Sequence, residues 1–212
     1  MTPRAPLPNR LRKKRTDRRP VAVAVTGGIG AGKSEALRAF ARHGAAVISS
    51  DEIVHELLRS DQDVRQAIRE RFGDEVFGPG DQIDRSRVAD RVFGDAGELD
   101  WLERLLHPRV IASYLRWRDE LARRPDAPVL TVTEVPLLYE VGGDARFDVV
   151  VVITAPPDVR MSREVRPMQD REHRLIPDEE KVQRADFAYV NDGTLDELDG
   201  FVACVVEELG GP

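Results

Sequence analysis

A short apolar run that breaks into a glycine loop constrains this chain more than any other feature. Residues 21–25, Val-Ala-Val-Ala-Val, lead through Thr26 into Gly27-Gly28-Ile29-Gly30-Ala31-Gly32-Lys33-Ser34, after which Leu37, Phe40 and Ala41 recur at helical spacing. A run without polar alternation is what a strand buried on both faces requires, so the segment predicts an inner strand of a parallel sheet. Glycines let successive backbone N–H groups turn inward, and the start of a helix adds partial positive charge at the same point; together they hold a phosphate. The G-x-x-x-x-G-K-S spacing, after a strand and before a helix, places Lys33 at the β- and γ-phosphates of a nucleotide and the Ser34 hydroxyl on magnesium. ATP and Mg2+ are the expected cofactors, with Gly28, Ile29, Gly30, Ala31, Gly32, Lys33, Ser34 and Glu35 as nucleotide contacts. Glu35 is the odd member: a carboxylate in the first helical turn suits the helix dipole but repels a phosphate, so Glu35→Thr is expected to tighten ATP binding by roughly 1 kcal/mol.

The rest of the chain alternates in the same manner. Residues 46–48 read as a second strand, and Asp51 stands where it meets a helix at 52–58. From 62 to 110 the pattern is mostly helical, with Val64, Ile68 and Phe72 on one stripe, Val88, Val92 and Phe93 on another, and Gly78-Pro79-Gly80-Asp81 between them. Residues 108–121 read as a separate helix, which makes His107-Pro108 a junction. Strands are expected at 129–135, 147–153 and 187–190, with a helix after Pro156-Pro157 and a capping box of Thr194 and Glu197 opening a terminal helix. Such alternation implies an α/β fold of three layers around a parallel sheet.

Composition narrows the function. The net charge of −6 conceals a basic tail: the first 20 residues hold eight Arg and Lys against Asp17 alone and read as a disordered extension, residues 1–20, ahead of a domain at 21–212. The remaining body is strongly acidic, whereas nucleic acids are held by basic stripes, so no nucleic-acid partner is expected for it. Cys204 is the single cysteine, which excludes an internal disulfide, fits a cytoplasmic location and reads as a small core residue. The longest apolar run, 147–153, is interrupted by Asp148 and falls far short of the ~20 residues of a membrane helix, so no membrane partner is expected.

A phosphate loop alone leaves GTPases, motors and small-molecule kinases open. No Asn-Lys-x-Asp segment for guanine is present, and an acidic body within a chain of 212 residues suits no helicase. A small-molecule kinase remains, which needs an acceptor pocket and a lid that excludes water. The further motifs resemble those of dephospho-coenzyme A kinases: Thr26 through Ser34, then Val47-Ile48-Ser49-Ser50-Asp51, Leu105-Leu106-His107-Pro108, Glu134-Val135-Pro136-Leu137-Leu138-Tyr139-Glu140, and Ala185 through Gly193 in that order.

This resemblance implies a P-loop kinase fold with a helical acceptor-binding cap at 62–121 and a short lid at 163–181. It implies phosphorylation of the ribose 3′-hydroxyl of dephospho-coenzyme A, with Asp51 as general base and Lys33 and Arg163 stabilising the transferred phosphoryl group. Acceptor contacts would come from Asp51, His107, Leu137 and Leu138, and magnesium would be held by Ser34 and Glu134, the latter standing where the family usually has Asp. Arg166, Arg171 and Arg174 are further lid candidates. Two rivals stay open: another small-molecule kinase, such as a nucleoside monophosphate kinase, and a nucleotide-binding regulator without turnover. The bland alternatives are a helix cap for Asp51, core packing for the leucines and a solvated face for Arg163.

Overall fold

The computed structural model describes residues 19–92, 94–163 and 176–210. The chain divides into two compact units, one of Met1–Ser49 with Arg118–Pro212 and one of Ser50–Trp117. Residues 1–18, which hold nearly all of the basic tail, and Phe93 lie outside the described residues.

The first unit is built on five parallel strands, β1 Val21–Thr26, β2 Ala46–Ser49, β3 Leu130–Glu134, β4 Val149–Thr154 and β5 Phe187–Val190, in the order β2-β3-β1-β4-β5. Strand β1 is central, with Val23 in register with Val132 on one side and Val149 on the other. All six of its residues are buried, which is why its sequence shows no polar alternation. Its odd-numbered residues Val21, Val23 and Val25 pack in one cluster with Leu37, Phe40, Leu198 and Val202. Those partners lie on helices α1 (Lys33–Arg42) and α8 (Leu195–Glu208), which therefore share one face of the sheet. Burying a side chain of this kind contributes about 1.5–3 kcal/mol, so this face supplies much of the unit's stability. The expected capping box opens α8, Thr194 accepting from Glu197 N–H at 3.2 Å and Glu197 accepting from Thr194 N–H at 2.7 Å. At the far end of α1, Arg42 and His43 grip Asp199 of α8 at 2.6 and 3.0 Å, which holds the Asp199 carboxyl below its usual range. Cys204 departs from expectation: it is exposed on α8, because Val202, Val205 and Val206 occupy the buried stripe. The described residues of the unit also form two shorter helices, α6 (Pro157–Arg163) and α7 (Asp178–Arg184).

The second unit is helical: α2 Ser50–Ser60, α3 Gln62–Phe72, α4 Arg85–Val92 and most of α5 Ala96–Ala122. It starts ahead of residue 62, since it takes in α2. Asp61 caps α3 by accepting from Val64 N–H at 3.0 Å. Its core gathers Leu58, Val64, Ile68, Phe72, Val76, Phe77, Val88, Val92 and Leu106. The expected helix break at His107-Pro108 is absent, and α5 runs through Pro108 for 27 residues. Proline deletes one helical hydrogen bond and crowds the preceding turn, a cost of about 3 kcal/mol. Packing offsets it, because Leu106, Val110 and Tyr114 continue one buried stripe across the proline.

Candidate active site

The loop between β1 and α1 is shaped by its glycines. At Gly27, where φ is 143°, a Cβ would lie 1.8 Å from the Ile153 carbonyl oxygen, so any side chain would push the loop off β4. Gly32 is the N-cap of α1 in the left-handed region, φ 97°, and no side chain caps the helix there. An uncapped helix start leaves its N–H groups to an anion. Lys33 is buried and folds back so that Nζ donates to the Gly28 carbonyl at 2.8 Å, which holds an ammonium inside the loop. Ser34 is exposed at the helix start, where its hydroxyl is accessible.

Two arginines of α6 join Lys33 at this loop. Arg160 Nη1 lies 2.5 Å from where a Cβ on Gly28 would sit, and Arg163 Nη1 lies 3.8 Å from the corresponding position on Gly32. The expected Arg163 thus stands beside the loop, and Arg160 was missed by the sequence reading. Its signal was available, since residues three apart share a helix face and the two arginines form such a pair. Arg160 is steadied by Asp178 of α7 at 3.3 Å. Three cations around one glycine loop match an oligophosphate better than any neutral ligand.

Glu134 and Ser49 end β3 and β2 in direct register, and Val25, next to the loop, pairs with Glu134 on its other side. Glu134 is therefore a buried carboxylate at the carboxyl end of the sheet, the edge where open α/β folds bind ligands. The loop beyond it is tied to β1 by the Thr26 hydroxyl donating to the Pro136 carbonyl at 3.3 Å. Leu138 is fully buried, while Leu137 stays partly exposed and offers apolar surface. Just after it, the Glu140 carboxylate meets the fully buried Lys181 ammonium of α7 at 2.9 Å and accepts from Ile176 N–H at 3.1 Å.

Glu35 is engaged away from the helix start. Its carboxylate pairs with Arg38 one turn along α1, both side chains being more than a third exposed. The neighbouring guanidinium gives the carboxylate a partner on the helix surface.

Asp51 and His107 belong to the second unit. Asp51 lies inside the first turn of α2, two residues past the end of β2, and is exposed. With Glu52, His55 and Arg85 it lines an open pocket of about 360 Å3, in which Arg85 Nη1 is 3.3 Å from His55 Nδ1. His107 is partly buried in the middle of α5. Of the lid at 163–181, residues 164–175, with Arg166, Arg171 and Arg174, lie outside the described residues. Among the described residues no group of three or more His, Cys, Asp or Glu is arranged to hold a metal ion, and no helix is long and apolar enough to cross a membrane.

A profile of the dephospho-CoA kinase family matches residues 21–197, from the first residue of β1 into the first turn of α8. The chain belongs to the dephospho-CoA kinase family. Its relatives include the dephospho-CoA kinase of Protochlamydia amoebophila, 36% identical over 198 residues that cover 88% of this chain and 95% of the relative. The dephospho-CoA kinase of Thermobifida fusca is also 36% identical, with the same coverage of 88% and 95%. Among solved structures, a Thermus thermophilus protein superposes with a TM-score of 0.72 at 30% identity, covering 91% of this chain and all of that one. The dephospho-CoA kinase of Campylobacter jejuni shares the fold, with a TM-score of 0.64 at 24% identity over 89% of this chain and 96% of its own. The five-stranded parallel sheet and glycine loop are thus those of a P-loop kinase.

Proposed function

We propose that this chain transfers the γ-phosphoryl group of ATP to the ribose 3′-hydroxyl of dephospho-CoA, giving coenzyme A and ADP. Family membership supplies the reaction, and the convergence of Lys33, Arg160 and Arg163 on one glycine loop carries its assignment to these residues. The loop N–H groups and Lys33 bind the β- and γ-phosphates, while the two α6 guanidiniums face the charge that spreads over the transferred group. The acceptor oxygen attacks phosphorus in line, the bond from the γ-phosphorus to the bridging oxygen breaks, and ADP leaves with that electron pair. Asp51 takes the hydroxyl proton. Its support is its location in the turn that follows β2, at the carboxyl end of the sheet, and its exposure in the pocket of the second unit. Leu137 of the first unit contributes apolar surface for the acceptor, and His107 a polar contact from the second unit, which acts as the acceptor cap.

Magnesium fits the residues present: the exposed Ser34 hydroxyl and the buried Glu134 carboxylate would hold it together with phosphate oxygens, as this ion prefers few protein ligands, and it would neutralise charge on the β- and γ-phosphates.

A coupled ADP-release assay with dephospho-CoA, AMP and shikimate as acceptors tests the reading. ADP release with dephospho-CoA far above that with the other two is expected, together with coenzyme A as product. Turnover favouring AMP or shikimate would overturn the acceptor assignment, and ATP binding without turnover on any acceptor would point to a regulator.

A further inference from the structure

One hydrogen bond on the glycine loop comes from 160 residues along the chain. Asn191, just past the end of β5, is 4% exposed, and its Nδ2 donates to the Ala31 carbonyl at 2.9 Å. Its own backbone N–H donates to the Thr154 carbonyl at 2.7 Å, which continues the β4–β5 pairing one residue beyond Val190. The carboxamide is therefore fixed from the sheet side before it reaches the loop. Its close approach needs Gly32, where a Cβ would stand 2.2 Å from Asn191 Nδ2.

A trans peptide is planar, with its C=O and N–H pointing in opposite directions. Whatever holds the Ala31 oxygen consequently aims the Gly32 N–H the other way. Gly32 is the N-cap of α1 and has no side chain of its own to cap the helix. We propose that Asn191 is a positioning residue for the nucleotide phosphates: it sets the plane of the Ala31–Gly32 peptide and so directs the Gly32 N–H at the β-phosphate. This rests on the glycine loop being the ATP site. The chemistry also explains an amide at this position. A carboxylate of the same shape would face the Ala31 oxygen with like charge and set a negative group beside the phosphates.

Inorganic tripolyphosphate has neither base nor ribose and so reads the phosphate cradle alone. Calorimetric titration of the full chain, Asn191→Ala and Asn191→Asp with Mg-ATP and with magnesium tripolyphosphate is the test. In Asn191→Ala both ligands should bind about tenfold more weakly, the scale of one buried hydrogen bond, while the KM for dephospho-CoA stays within about twofold. Asn191→Asp should bind both more weakly still. Equal tripolyphosphate affinity in a folded variant overturns the inference, as does weakening of ATP alone, which would make Asn191 a contact for the nucleoside. Independently of any variant, the Gly32 amide proton in 15N-labelled wild-type protein should move on adding tripolyphosphate, and a stationary resonance also overturns the inference. If the wild-type chain binds neither ligand, the reading of the glycine loop itself fails, which is a different result.

Discussion

The two units treat charge in opposite ways. Lys33, Lys181, Glu134 and Asn191 are all buried in the first unit, whereas Ser50 is the one buried polar residue of the second among the described residues. The second unit keeps its ions at the surface, where Arg65 and Arg69 share Asp81 and Arg71 meets Glu98 at 2.8 Å. Its polar pocket, with Asp51, His55 and Arg85, is likewise built from exposed side chains. Burial removes water, strengthens each interaction and makes each unpaired group costly, while exposed pairs are screened and contribute little. The first unit is accordingly suited to holding a triphosphate with preset dipoles. The second offers side chains that a ligand can reorganise.

The largest expected effect tests the buried side of this contrast. Lys181→Ala leaves the Glu140 carboxylate without its cation at a site where the two side chains are 0% and 10% exposed. Removing one partner of such a pair costs about 3–5 kcal/mol, so urea unfolding should show a loss of that size. A loss below about 1 kcal/mol would put the pair on a level with surface ions and dissolve the contrast.

Next comes the exposed carboxylate given a chemical role. Asp51→Asn should lower kcat by about 10²-fold, the scale of a lost general base, with ATP affinity nearly unchanged and the fold retained, because the side chain is exposed and the amide keeps its shape. Single-turnover kinetics with a parallel thermal melt reads both. Full turnover in the folded variant would remove Asp51 from proton transfer.

The smallest effect sharpens the rule that exposure, rather than membership of a unit, decides. Glu35 lies in the first unit but pairs with Arg38 in solvent. Glu35→Thr should therefore change the ATP dissociation constant by less than about twofold, against the fivefold tightening that repulsion alone implies. Calorimetric titration with Mg-ATP separates the two, and a fivefold gain would mean that Arg38 does not compensate the carboxylate.

Much of this protein is written in local patterns. The run at 21–25 announced the central strand because a strand covered on both faces needs no alternation. The glycine loop announced itself because only glycine fits beside the Ile153 carbonyl at Gly27 and in the left-handed cap at Gly32. The Thr194–Glu197 box was equally plain, since both of its hydrogen bonds close within four residues. The misreadings came where packing decides which face is buried. Pro108 suggested a helix break, and the stripe of Leu106, Val110 and Tyr114 carried the helix through it. Cys204 was expected in the core, and its valine neighbours took the buried face of α8. Arg160 could have been inferred from Arg163 on the same helix face, whereas Asn191 was invisible as part of the loop because no local pattern says that the end of β5 comes to it. The sequence by itself determined backbone chemistry, since a loop's φ angles and a strand's burial follow from which side chains are absent or apolar. Only the tertiary structure decided which polar side chains meet that backbone, because a hydrogen bond across 160 residues depends on the register of β4 with β5 and not on any local preference.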